Sequence, residues 1–143
     1  CSSDLTGSAG IVSIVLYAAG MIIALSLMSG FVLFQAILLS EILAKFSMVL
    51  QASMGRSAAV GSNSPFVHIM KDKKKLAIAG IITIIPLVVL GGTTGLIVFA
   101  GAIVLTMFLL AISTRSFGGI TGDVLGATNE ITRLSSLIIF ASV

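Results

Sequence analysis

Phe31–Met54 reads FVLFQAILLSEILAKFSMVLQASM, and this stretch decides the fold. It is long and apolar enough to cross the hydrocarbon of a bilayer, which takes about 20 predominantly apolar residues. Yet it carries Gln35, Ser40, Glu41, Lys45 and Gln51. Ionisable groups at membrane depth are costly and face a partner or a wet cavity. The stretch therefore reads as a span inside a bundle, not a plain anchor. Glu41 and Lys45 stand four residues apart and can pair on one helix face, or they can line a cavity open to the cytoplasm.

Four more stretches have the same character: Ala9–Met28, Leu76–Leu90, Gly95–Ser113 and Val124–Val143. Leu76–Leu90 is short and holds Pro86, but it reaches the interface if Lys73–Lys75 snorkel and Gly91 joins the turn. In the last stretch Glu130 and Arg133 are three residues apart and can pair. Two spans with ionisable groups imply one shared polar interior. The expected fold is an all-α polytopic membrane bundle of about five transmembrane helices.

Composition agrees. Of 143 residues, 57% are apolar and 9% charged, against about 25% charged in a soluble domain. Mean hydropathy is +1.22. A disordered chain and an ordinary water-soluble domain are excluded. The single cysteine excludes an internal disulfide and a cysteine metal cluster. The net charge of +3 comes mostly from one run, Lys71–Lys75, so no nucleic-acid partner is expected. That run reads as an anchor near acidic lipid head groups. The chain starts at Cys1. We expect residues 1–143 to be one membrane domain, the C-terminal piece of a longer protein.

Loop charges give the orientation. Ser29-Gly30 and Gly91–Thr94 carry no charge, whereas residues 55–75 hold Arg56, His68 and the lysine run, and Thr114–Asp123 holds Arg115. Lys and Arg in short loops mark the cytoplasmic side. The N-terminus, residues 55–75 and residues 114–123 are expected there, with the two uncharged turns outside.

Residues 115–130 read RSFGGITGDVLGATNE. Gly118, Gly122 and Gly126 recur every four residues, a small-xxx-small face suited to helix packing. Packing does not account for the interleaved Thr121, Asp123, Asn129 and Glu130. Glycines also allow close approach to a phosphate. A helix N-terminus near Asp123 adds N–H donors for an anion, and carboxylates there can hold Mg²⁺ against phosphate oxygens. This is the chemistry of phosphoryl transfer. On one continuous helix Asp123 and Glu130 would stand about 10.5 Å apart along the axis, too far for one metal. Either Asp123 lies in the loop before the helix and curls back, or the two serve different groups. The first is preferred here, with Asp123 the stronger metal candidate.

The pattern Gly118-Gly119-x-Thr121-Gly122-Asp123-x-Leu125-Gly126-Ala127-x-x-Glu130, preceded by Arg115, closely resembles the C-terminal signature of the cobalamin synthase family, the adenosylcobinamide-GDP ribazoletransferases. Asp4–Gly10 resembles the family's Asp-x-x-x-Gly-x-x-Gly segment before a membrane helix, with the aspartate one position closer to the glycine. Arg56–Gly61, followed by Phe66, resembles its loop after the next helix, without the usual proline and tyrosine. Ser40-Glu41 lies where many members have Ser-Arg, so no arginine role carries over. The family's acidic His-Leu-Asp-Gly-Leu-Ala-Asp motif is not in these residues.

The resemblance implies a Mg²⁺-dependent membrane enzyme of prokaryotes, multi-pass in the cell membrane, working on the cytoplasmic side. A hydroxyl of α-ribazole, or of its 5′-phosphate, attacks the cobinamide-side phosphorus of adenosylcobinamide-GDP, and GMP leaves. Implied catalytic residues are Asp123 and Glu130, with Asp123 and Asp4 at the metal. Implied substrate residues are Arg115, Arg56, Gly119, Thr121, Gly122, Gly126, Asn129, Gly7 and Gly10. Both arginines are planar forks for phosphate oxygens. His68 is a poor base. Other implied partners are the lipid bilayer, a second copy, and the missing N-terminal part, which would complete the site. The other class considered is a non-enzymatic membrane subunit, such as half of a transporter, using Glu41, Lys45, Glu130 and Arg133 as a polar pathway. The glycine-acid motif lies at a boundary rather than the midplane, which weighs against it.

Overall fold

The computed structural model describes residues 3–56 and 72–142, with side chains from Gly7 onward except Ala9. Four helical elements follow in order: α1 (Ser3–Ser26), α2 (Gly30–Met54), α3 (Lys73–Phe117) and α4 (Gly122–Ser142). The readings placed on Cys1, on Gly61, Phe66, His68 and Lys71, and on the side chain of Asp4 lie outside the described residues.

Local chemistry sets the boundaries. Asp72 caps α3, its carboxylate accepting from the Lys74 N–H at 3.0 Å. Gly118 ends α3 in the left-handed region at φ 72°, which glycine adopts without steric cost. Thr121 opens α4, its hydroxyl oxygen accepting from the Val124 N–H at 3.3 Å.

α3 is not one rod. Gly92 has φ 53° and ψ −134° inside it. A Cβ on Gly95 would stand 2.3 Å from the Leu87 carbonyl oxygen, whereas residues eight apart in a straight helix are about 12 Å apart. Phe46 confirms the reversal, touching Gly80 on one arm and Phe99 on the other. The third and fourth apolar stretches are thus the two arms of α3, and the connection expected over Gly91–Thr94 narrows to Gly92. At the other end, α1 begins at Ser3. The Asp4–Gly10 segment, expected to precede a membrane helix, is already helical.

α2 is the central element, packed against α3 and α4, while α1 packs on α4. The bundle buries polar side chains among apolar ones and is apolar outside. Ser40, Gln51, Thr106, Thr128 and Thr132 are fully buried, while Ile22 is 69% exposed and Val89 74%. So much apolar surface left outside would be costly in water; in lipid it is ordinary, because tails solvate apolar side chains and polar ones bond between helices. α2 and α3 are each long and apolar enough to cross a membrane, with mean hydropathy of 1.7 and 2.7. Only 39% and 22% of their most apolar windows is buried, unlike the core helix of a soluble protein. The all-helical membrane architecture expected from the sequence is what the chain adopts.

Candidate functional site

Helix register brings three distant segments to one end of the bundle. α1 runs parallel to α4: Tyr17 meets Glu130 and Gly20 faces Leu134. The same register sets Gly10 level with Asp123. α2 runs antiparallel to α4, with Lys45 beside Asn129 and Glu41 beside Arg133. The C-terminal end of α2, with Arg56 just past it, therefore meets the turn between α3 and α4.

That turn is well tied. Ser113 Oγ donates to the Gly119 carbonyl at 2.6 Å. The Ile120 N–H donates to the Arg56 carbonyl at 2.7 Å. Arg115 lies in the last turn of α3 and Asp123 in the first turn of α4. Arg56, Arg115 and Asp123 are all exposed around it. The result is a polar rim with two guanidinium forks, a carboxylate, a glycine turn and the N-terminus of a 21-residue helix, an arrangement suited to an oligophosphate.

Among the described residues the glycine repeat is not used to pack one helix on another. Gly118 lies outside both helices as the cap, so the repeat does not run along one of them. A Cβ at Gly118 or Gly126 would meet nothing within 4 Å. Gly122 and Gly126 are exposed, as are Gly7 and Gly10 on α1.

The carboxylates separate. Because α4 starts at Gly122, Asp123 is helical and does not sit in a preceding loop. It and Glu130 share one helix about 10.5 Å apart along the axis. Glu130 belongs instead to a half-buried network farther along the helices. Tyr17 donates to its Oε2 in a short hydrogen bond. Arg133 Nη1 donates to the same oxygen at 2.8 Å. Asn129 Nδ2 donates to Oε1 at 2.9 Å. Both oxygens are occupied, which fits a structural carboxylate better than a base or metal ligand. Asn129, 5% exposed, also accepts from Lys45 Nζ at 3.0 Å, so it too lies away from the rim.

Arg133 Nε stands 2.5 Å from Glu41 Oε1, an ion pair without an aligned hydrogen bond. The Glu130–Arg133 pair within α4 is as expected from spacing. The Glu41–Lys45 pair is replaced by contacts across helices, because α4 presents better-placed partners. Glu41 and Lys45 also edge a groove of about 540 Å³ between α2 and the first arm of α3. The shared polar interior is thus present, with one member sequence reasoning missed. Tyr17 is the only tyrosine, and a phenol in an apolar helix needs a partner for its hydroxyl.

Among the described residues, no group of three or more His, Cys, Asp or Glu side chains is placed to hold a metal ion. Asp123 can supply one carboxylate. That fits Mg²⁺ bound through one or two carboxylates and substrate phosphates, not an all-protein cage.

An apolar-surfaced helix bundle with an ionic interior and a polar rim is a polytopic membrane protein. More particularly, the chain belongs to the cobalamin-5-phosphate synthase (CobS) family, whose profile matches residues 3–141. Three similar proteins are each named adenosylcobinamide-GDP ribazoletransferase. That of Methanocella arvoryzae is 33% identical over 125 residues, 78% of this chain and 47% of its own length. That of Archaeoglobus fulgidus is 32% identical over 132 residues, 92% of this chain and 54% of its own length. That of Pyrococcus abyssi is 33% identical over 144 residues, 95% and 57% respectively. The chain spans about half the length of the curated relatives it matches. No solved structure matches it.

Proposed function

We propose that this chain forms one wall of the active site of an adenosylcobinamide-GDP ribazoletransferase. A hydroxyl of α-ribazole, or of its 5′-phosphate, displaces GMP from the cobinamide-side phosphorus of adenosylcobinamide-GDP. The carrying observation is the convergence of Arg56, Arg115, Asp123 and the Gly118–Gly122 turn at one end of the bundle. Relatives bearing that name support the substrate.

Positioning and charge neutralisation do most of the work in phosphoryl transfer. The arginines bind and orient the diphosphate as planar forks. The α4 N-terminus adds N–H donors. Mg²⁺, held by Asp123 together with substrate phosphates, would supply charge neutralisation of the diphosphate. The remaining part of the full-length protein completes the site.

The bundle crosses the cell membrane five times, counting both arms of α3, with the rim in the cytoplasm. Parallel α1 and α4 fit this, since the first and fifth crossings of such a path run the same way. The transporter reading draws no support, because Glu41, Glu130 and Arg133 are paired with one another.

The test is GMP release by purified full-length protein in lipid vesicles given adenosylcobinamide-GDP, α-ribazole and Mg²⁺. Release that needs all three is expected. An inactive, correctly inserted protein would overturn the reading.

A further inference from the structure

Position 120 is the unspecified place in the Gly118–Asp123 pattern, and the structure gives it work. Ile120 is 1% exposed, packed in a cluster with Ala52 and Leu125. Its N–H holds the Arg56 carbonyl at 2.7 Å. Gly55 makes that approach possible: a Cβ there would stand 2.0 Å from Ile120 Cδ1, 2.6 Å from Cγ1 and 3.0 Å from the Gln51 carbonyl oxygen. Isoleucine is stiff at χ1 and this one is enclosed, so it cannot swing clear without repacking.

We propose that Ile120 is a positioning residue, a clasp that fixes Arg56 beside the Arg115–Asp123 turn so that both arginines meet one diphosphate. The proposal rests on the transferase reading. The turn has a second anchor in the Ser113–Gly119 hydrogen bond, which ties it to the last turns of α3 and so to Arg115. Two forks springing from fixed backbone lose less freedom on binding than two on independent segments. A shift of about 1 Å at such a site costs on the order of 10²-fold in catalysis.

The test uses full-length protein in detergent, with GDP and Mg²⁺ as the binding probe, and the variants G55A, I120V, G55A/I120A and S113A. Hydrogen exchange at the Ile120 amide reads the clasp itself. GDP affinity and the split between KM and kcat read the positioning. G55A is expected to open the Ile120 amide to exchange, weaken GDP binding about 10-fold or more, and raise KM with kcat changed less. I120V trims one methyl and gives a small rise in KM. G55A/I120A recovers protection and much of the affinity, because both side-chain atoms that meet the new Cβ, Cδ1 and Cγ1, are gone. S113A adds no bulk and moves KM in the same direction as G55A. A G55A protein with a protected Ile120 amide would overturn the proposal. So would G55A or S113A proteins with lowered melting temperature but unchanged GDP affinity and KM. Wild-type protein that binds no GDP would instead sink the transferase reading, and the clasp's role with it.

Discussion

Arg133 of α4 and Glu41 of α2 stand 2.5 Å apart across the middle of the bundle, and the same guanidinium binds Glu130 one turn away. One cation thus serves two carboxylates on two helices. Removing one partner of a buried pair leaves a charge uncompensated, which costs about 3–5 kcal/mol. The side chains here are 21% exposed for Arg133, 40% for Glu41 and 42% for Glu130. With both carboxylates that exposed, Arg133→Met should cost far less than a fully buried pair, on the order of 1 kcal/mol. The triple change R133M/E41Q/E130Q should recover most of it, since no unpaired charge remains. Unfolding in detergent measures both; equal loss in the single and triple variants would argue against the shared cation.

Asp123 and Thr121 have separable roles. Thr121 supplies the α4 cap, so Thr121→Ala should cost about 1 kcal/mol of stability. Asp123→Asn should leave the melting temperature near wild type but remove most transferase activity at ordinary Mg²⁺, with some return at high Mg²⁺. A Mg²⁺ titration of the purified variant decides. Near wild-type activity at low Mg²⁺ would move the metal site away from Asp123.

Arg115→Lys replaces a fork with a point charge. The apparent KM for adenosylcobinamide-GDP should rise about 10-fold, one lost charged hydrogen bond being about 1.5 kcal/mol, with normal membrane insertion. Steady-state kinetics read this. Lysine would serve equally well if Arg115 were only an anchor, and unchanged kinetics would say so.

The reversal at Gly92 makes a topological prediction. A cysteine at Thr93 should label from outside the cell and one at Ser116 from the cytoplasm. Labelling of both from one side would contradict the five-crossing path. Gly92 has φ 53°, a backbone conformation glycine visits freely, so Gly92→Val should also strain the turn and lower the melting temperature.

The sequence by itself determined the solvent, the helices and the rim. Apolar stretches of spanning length leave no other viable structure in lipid, since every backbone polar group must bond within its own segment. The charged boundaries at Arg56 and Arg115 marked one end for the same reason that loops carry charge and spans do not. Close sequence neighbours were legible too: Glu130 and Arg133 pair because three residues bring side chains to one helix face. What periodicity could not reach was set by contacts between helices. Glu41 has two candidate partners, Lys45 on its own helix and Arg133 on another, and only the antiparallel register of α2 and α4 chose Arg133. Tyr17 entered the network because α1 lies parallel to α4. The helical start at Gly122 took Asp123 out of its expected loop and separated it from Glu130, because the cap came from Thr121. And the tie between Ile120 and Arg56 joins segments with no shared local signal; a backbone bond of that kind leaves no trace in residue type, so only the packed tertiary structure decided it.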